Sequence, residues 1–321
     1  MPPSESEVFE APNGPVVLLT GASGYVGGRL VPLLEQQPAV LRCLARSPDK
    51  LRSRVKESTQ IVRGDALNAP SLDEALRGVH TVYYLVHLMS GSKDFEKEDR
   101  QAATNFAQAA KKAGARRIIY LGGLGDDADP KLSPHLRSRH EVGRILQGSG
   151  VETIEFRASL VIGTGSLSFD LVKSLTDRLP VMLCPRWLTT PTQPIAVDDV
   201  LAYLLSAKDL PRGESHIFEI GSQDVTTYGD MIREYARQKG LRRWLISVPV
   251  LTPYLSSLWL ALVTPTSFEV GRHLVEGLKN PTVVRDKKAL EVFPIHPMAT
   301  WEAIQKALTG SILSPQVNGR P

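Results

Sequence analysis

The sequence predicts a doubly wound α/β fold: a parallel sheet covered by helices on both faces, with a smaller, mainly helical lobe in its C-terminal half. Three observations predict it. The apolar run Val16-Val17-Leu18-Leu19 leads straight into the glycine-rich turn Thr20-Gly21-Ala22-Ser23-Gly24-Tyr25-Val26-Gly27. Short apolar strands then alternate with helical patterns as far as Arg157. Beyond Arg157 the alternation loosens into proline-rich loop and helix.

Each element has its own signal. Val16–Leu19 reads as a buried parallel strand, and Tyr25 to about Leu34 as the helix after it. Val40–Ala45 is the second strand and Gln60–Asp65 the third. Ser71 to Arg77 is predicted as a short helix capped by Ser71, with acids in its first turn. Thr81–Val86 is the fourth strand. The helix from about Asp94 to Ala113 carries Ala102, Phe106, Ala109 and Ala110 on one face and ends at Gly114. Arg117–Leu121 is the fifth strand, stopped by Gly122-Gly123, and Ser138 to Gly148 the helix leading to the sixth, Glu152–Arg157. In the second half, helices are predicted at about Phe169–Leu179, from Ile195 to Ala207, and over Thr227–Lys239. His216–Gly221 is one further strand, and the remainder to about Leu308 reads as mainly helical. No internal repeat or low-complexity block interrupts this order.

The glycine turn carries the first functional inference. A strand, a tight glycine turn and a helix N-terminus together form a backbone cradle for a dinucleotide pyrophosphate. Gly21 permits the turn, Gly24 lets the main chain approach phosphate, and Gly27 lets the helix pack against the sheet. Ser23, Tyr25 and Val26 complete the segment facing the anion.

Composition narrows the class. A net charge of +4, spread over 321 residues, argues against a dedicated nucleic-acid binder. Two cysteines, Cys43 and Cys184, exclude a disulfide framework and fit a reducing cytoplasm. The seven histidines are scattered without metal-ligand spacing, so no metal is expected. No G-x-S-x-G elbow occurs. The polar, proline-containing residues 1–14 read as a disordered leader without signal-peptide character, and 311–321 as a loose tail. Between them, residues 15–160 form the cofactor-binding unit, its sheet completed by parts of 195–222. Residues 161–194 and 223–310 form the substrate lobe.

The turn, the loop after the fourth strand and the helix start Val197-Asp198-Asp199-Val200 together resemble the short-chain dehydrogenase/reductase superfamily, in its atypical, epimerase-like branch. The resemblance covers roughly residues 15–310 and is specific over the first 160. It implies an NAD(P)-binding Rossmann domain in which Gly64-Asp65-Ala66 corresponds to the segment whose acid contacts adenine. Asn105 matches an asparagine of the family's helix. At the end of the second strand a carboxylate would favour NAD; this chain has Arg46-Ser47, with Lys50, Arg52 and Arg54 following. Arginine offers a planar donor fork to a 2′-phosphate, so NADP is expected over NAD. Leu85, Val86 and His87, just past the fourth strand, are placed to meet cofactor or substrate. For His87 a loop-capping role is the alternative.

The family's reductive chemistry uses a Tyr-x-x-x-Lys pair and an upstream serine, and here all three depart. In His135-Leu136-Arg137-Ser138-Arg139, His135 replaces the tyrosine and Arg139 the lysine, while Gly122-Gly123 stand at the serine position. Three readings stay open. His135 is a general acid–base group, with Arg139 holding ribose or phosphate; or the site is silent and cofactor sensing or assembly is the function; or His135 is a surface loop residue after Pro134. Arg157 either reaches the cleft or pairs with an acid, and Asp198 and Asp199 are expected to cap their helix and pair with the lobe.

These readings sum to an NADP-dependent oxidoreductase or isomerase acting on a small apolar carbonyl or quinone-like substrate. Leu251, Tyr254, Leu258, Trp259 and Leu262 make the lobe apolar. Trp244–Val263 is interrupted by Pro249, Pro253 and Ser256-Ser257, too short a clean stretch for a comfortable span. It reads as a buried or lid helix, with peripheral membrane contact as the second reading.

Overall fold

A computed structural model describes residues 14–88, 94–247 and 277–310. The leader, the tail and the apolar residues from Leu251 to Leu262 lie outside the described residues. In chain order the first half is β1 (Val16–Thr20), α1 (Tyr25–Leu34), β2 (Val40–Ala45), α2 (Asp49–Arg52), β3 (Gln60–Arg63), α3 (Ala69–Ala75) and β4 (Val79–Tyr84). There follow α4 (Phe95–Lys112), β5 (Arg117–Gly123), α5 (Pro134–Gln147) and β6 (Glu152–Ala158). The second half adds β7 (Val161–Ile162), α6 (Leu167–Arg178), β8 (Val181–Cys184), β9 (Pro191–Thr192), β10 (Ile195–Ala196) and α7 (Val197–Ala207). It closes with β11 (His216–Ile220), β12 (Thr226–Thr227), α8 (Tyr228–Gln238), β13 (Trp244–Ser247), α9 (Lys288–Val292) and α10 (Thr300–Thr309).

Seven strands form one sheet in the order β11-β6-β5-β4-β1-β2-β3, every neighbouring pair parallel. Strand order reverses between β1 and β4, so the crevice beyond their C-terminal ends is the topological switch point. Burial on both faces explains why β1 is apolar without alternation. One face packs Leu30 and Val31 of α1 with Val200 and Leu204 of α7, and joins an aromatic group of Phe156, Tyr203, Phe218 and Phe293. The other face packs Phe106 and Ala110 of α4 and Leu146 of α5 against Tyr84 and Tyr120. A third apolar cluster holds the lobe around Phe169, Leu175, Met231 and Tyr235.

The four α4 residues predicted on one face are all buried, and Gly114 ends that helix region with φ +72°. Thr227 caps α8 by accepting from Asp230 N at 3.1 Å. Other expectations need correction. α3 starts at Ala69 behind Asn68, because Pro70 fits a first turn; the acids are not in that turn, and Ser71 Oγ instead accepts from Asp65 N. β3 stops at Arg63 and β4 at Tyr84; Leu85 leaves the strand because its N–H donates to Thr20 Oγ1 at 2.9 Å. α5 starts at Pro134, capped by Ser133, which accepts from Leu136 N. His135 is therefore in a helical first turn, not a surface loop. Asp198 and Asp199 give no side-chain cap; Asp198 pairs with Lys306 at 2.9 Å and Asp199 accepts from Met298 N at 2.8 Å. Trp244–Ser247 is strand rather than helix, since its aromatic and branched residues alternate along a pleat.

Gly122 and Gly123 do not end β5 but continue it, paired with Arg157 and Ala158. The missing side chain of Gly122 makes room for Glu155, which is fully buried, while Gly123 faces Leu136 and Arg139 on the other side of the sheet. A Cβ on Gly122 would stand 2.8 Å from Glu155 Oε1, and one on Gly143 of α5 would also collide with that carboxyl group. Glu155 pairs with Arg157 Nε at 2.8 Å and accepts from Gln147 Nε2 at 2.7 Å. Arg157 continues to Asp127 at 2.6 Å, which also meets His140 Nδ1 at 2.7 Å; His140 Nε2 meets Gly123 O at 2.9 Å. Arg157 is thus a structural partner of acids and not a cleft group.

Two outcomes are expected from this packing. Gly122→Ser, which restores the family's serine, forces Glu155 away from Arg157 and should destabilise the fold by roughly 1–3 kcal/mol, read in urea titration. Asp199 is pushed up by burial from 3.8 to about 6. Kept ionised at neutral pH it opposes folding, and that cost is relieved as pH falls through about 6 towards 3.8. In that window Asp199→Asn should flatten the gain in melting temperature that the parent protein shows on acidification.

Candidate cofactor and active-site cleft

The crevice at the switch point is a cleft of about 370 Å³. It brings together Gly21, Ser23, Gly24, Tyr25, Val26, Gly27, Arg46, Asp65, Ala66, Leu85, Val86, His87 and Arg139. Of the sequence-predicted site residues, Ser47 does not line it, and His135 reaches it only through a neighbour. A second cavity, of about 380 Å³, opens at the opposite end of the sheet among Pro15, His80, Arg117 and Glu152. There Arg117 is consumed by Glu152 at 2.9 Å and by the carbonyls of Ala207, Lys208 and Leu210, so its guanidinium binds the fold itself.

Close backbone contact shapes the phosphate end. Gly21 has φ +71°, and a Cβ there would lie 2.5 Å from Leu85 O. A Cβ on Gly27 would collide with Gly21 O. α1 therefore starts against the turn, with no side-chain cap and no acid in its first turn. Its first N–H groups, which have no partner within a helix, are left to face an anion. Thr20 Oγ1 donates to Tyr83 O at 3.1 Å and accepts from Leu85 N, fastening β1 to β4 beneath the turn.

The side of the cleft at Asp65 is equally supported. Asp65 Oδ1 accepts from Leu67 N at 3.0 Å. Asn105 is buried, and its Nδ2 donates to Ala66 O at 3.0 Å and Leu67 O at 3.2 Å. The helix asparagine thus holds the loop that carries Asp65. Arg46 is exposed at the end of β2 on the cleft rim, where no carboxylate from the same strand end competes with it.

At the other end of the cleft the rings of His87 and His135 lie 4.9 Å apart, inclined at 39°. Desolvation by the surrounding protein, then the charge of Arg139 and the proximity of His135, hold the His87 imidazole well below its usual value. His87 keeps an accessible face in the cleft. Arg139 is buried; it donates to Val86 O at 3.2 Å and to Leu121 O, and lies 4.8 Å over the Tyr120 ring. Tyr120 Oη donates back to Arg139 O at 2.9 Å. Arg139 ties the segment after β4 to β5 and places a positive charge at the cleft.

Asp99 of α4 was not singled out by sequence, yet it sets the geometry here. Fully buried, it accepts from Leu88 N at 3.2 Å and from Ser138 Oγ at 2.9 Å, joining the His87 loop to α5. Its signal was present: Asp99 stands at helical spacing with Ala102, Ala103 and Phe106 on the buried stripe of α4. No cluster of metal-ligating side chains occurs among the described residues.

Residues 21–157 match the NAD(P)H-binding protein family. A ceramide reductase of Caulobacter vibrioides is 27% identical over 268 residues, covering 80% of this chain and 82% of that protein. The fold resembles the Citrobacter triphenylmethane reductase complexed with NADP(H), with a TM-score of 0.72 at 15% identity over 91% of this chain and 99% of that one. It equally resembles the Escherichia coli NADPH-dependent quinone oxidoreductase, with a TM-score of 0.72 at 17% identity over 91% and 99% of the two chains. Residues 21–157 thus match an NAD(P)H-binding family model, on the Rossmann-like fold that these solved structures share.

Proposed function

We propose that the protein is an NADPH-dependent oxidoreductase that reduces an apolar carbonyl or quinone-like substrate. The observation that carries this reading is the pairing of His87 and His135 beside Arg139 at the end of the cleft away from Arg46. The bound nicotinamide supplies a hydride; the protein has to supply the proton and the charge that steadies the reduced oxygen. His135, in the first turn of α5 with its ring 4.9 Å from that of His87, is the group placed to deliver the proton. Arg139, fixed between Val86 O and Leu121 O, supplies positive potential where negative charge develops. The carbonyl carbon gains the hydride and its oxygen gains the proton, so electrons and protons balance. The relative that is a ceramide reductase and the structural neighbour that is a quinone oxidoreductase support reduction of a hydrophobic acceptor.

NADPH is favoured over NADH by Arg46. Replacing Arg46 by Asp should weaken NADPH binding roughly 10- to 100-fold while leaving NADH nearly unchanged, as measured by fluorescence titration. Equal loss of both removes the assignment. Turnover is tested by following NADPH absorbance with a panel of aldehydes, ketones and quinones. His135→Ala should lower kcat by about 100-fold or more while NADPH still binds. Tight NADPH binding with no turnover on any acceptor would instead establish a sensing or assembly role, which the buried commitments of Arg139 also fit.

A further inference from the structure

The lobe carries a second surface of defined chemistry. β8 and β13 form a two-stranded parallel ribbon in which Val181 stands opposite Trp244 and Leu183 opposite Ile246. Alternation along the pleat turns Met182 and Cys184 into the lobe core, where both are buried. The other four side chains turn outward, with Val181 46%, Leu183 48%, Trp244 63% and Ile246 49% exposed. Single exposed apolar residues are ordinary, but four on adjoining register positions make a continuous patch.

The patch has a basic rim. Lys239 and Arg242 are exposed immediately before β13 and enter no ion pair among the described residues. Arg243 instead turns inward, donating to Thr176 O at 2.5 Å and so anchoring the ribbon to α6. In sequence no charged residue occurs from Trp244 to Phe268. Cations beside an aromatic and aliphatic face are the combination that seats a protein in the headgroup layer of an anionic bilayer. A second copy of the chain is the less favoured occupant, because stable protein interfaces engage roughly 20–30 residues a side.

We propose that the outer face of the β8–β13 ribbon docks on an anionic phospholipid surface, with Trp244 and Ile246 entering the headgroup boundary and Lys239 and Arg242 facing lipid phosphates. The face crosses no bilayer, and among the described residues no helix is long and apolar enough to do so. Docking is independent of the cleft chemistry, since vesicle binding is read without turnover.

The test is flotation of the full chain with phosphatidylglycerol vesicles and, separately, with phosphatidylcholine vesicles. Co-flotation with the anionic vesicles, reduced by high salt and weak with the neutral ones, is expected. Trp244→Glu should cut the bound fraction about tenfold with the NADPH affinity unchanged as the folding control. The double change Lys239→Glu and Arg242→Glu leaves the apolar face intact and should also cut it at least about tenfold. Absence of the wild-type chain from the anionic fraction overturns the proposal, as does flotation that neither variant alters. A wild-type dimer that Trp244→Glu converts to monomer, with no vesicle binding, assigns the patch to a second copy and overturns it as well.

Discussion

The carboxyl group of Glu155 is the constraint around which the site is organised. It is fully buried on β6 and survives there only because Arg157 and Gln147 satisfy it. The space it fills is taken from its neighbours, so Gly122 on β5 and Gly143 on α5 have no room for a side chain. A Cβ on Gly123 would in turn stand 2.8 Å from Leu136 Cδ2 of α5. A serine at either glycine position would therefore have to displace Glu155 or Leu136. The departure from the family pattern accompanies this packing, and on the proposed reading proton transfer falls to the first turn of α5.

That turn is located by other buried polar groups. Glu155 lets α5 lie close on the sheet at Gly143, Asp99 joins Ser138 to the His87 loop, and Tyr120 and Arg139 exchange a hydrogen bond and a ring contact. Removing one partner of such a set leaves another buried without compensation, so the arrangement is rigid. Rigid placement matters to the proposed chemistry, which needs the rings of His87 and His135 to stay together at the cleft.

Much of this was legible in the sequence, for identifiable reasons. The glycine turn specified both a strand–helix junction and a phosphate site, because few other arrangements need small residues at those spacings. Arg46, through its charge at a strand end, is what leads from the sequence to the proposal of NADPH. The buried stripe of α4 was readable from its period, and Asp99 stood on it unnoticed because an acid is not normally counted as core. Glu155 was hidden for the same reason: its neighbours Ile154 and Phe156 read as core, and only the long-range pairing of β5 with β6 brings Gly122 beside it. Pro134 read as a loop signal, whereas in a first helical turn its missing N–H costs nothing.

Cofactor recognition and chemistry are therefore separable in this fold. The phosphate and adenine ends depend on backbone geometry near β1, β2 and β3, held by Thr20 and Asn105, and none of those contacts involves α5. The reacting end depends on α5 and on the buried charges behind it. On the proposed reading, a change at the second group alters what is done with the nicotinamide without altering what is bound. A chain can therefore keep the cofactor cradle while departing from the family pattern at Gly122, His135 and Arg139, since the two halves of the cleft are built on different contacts.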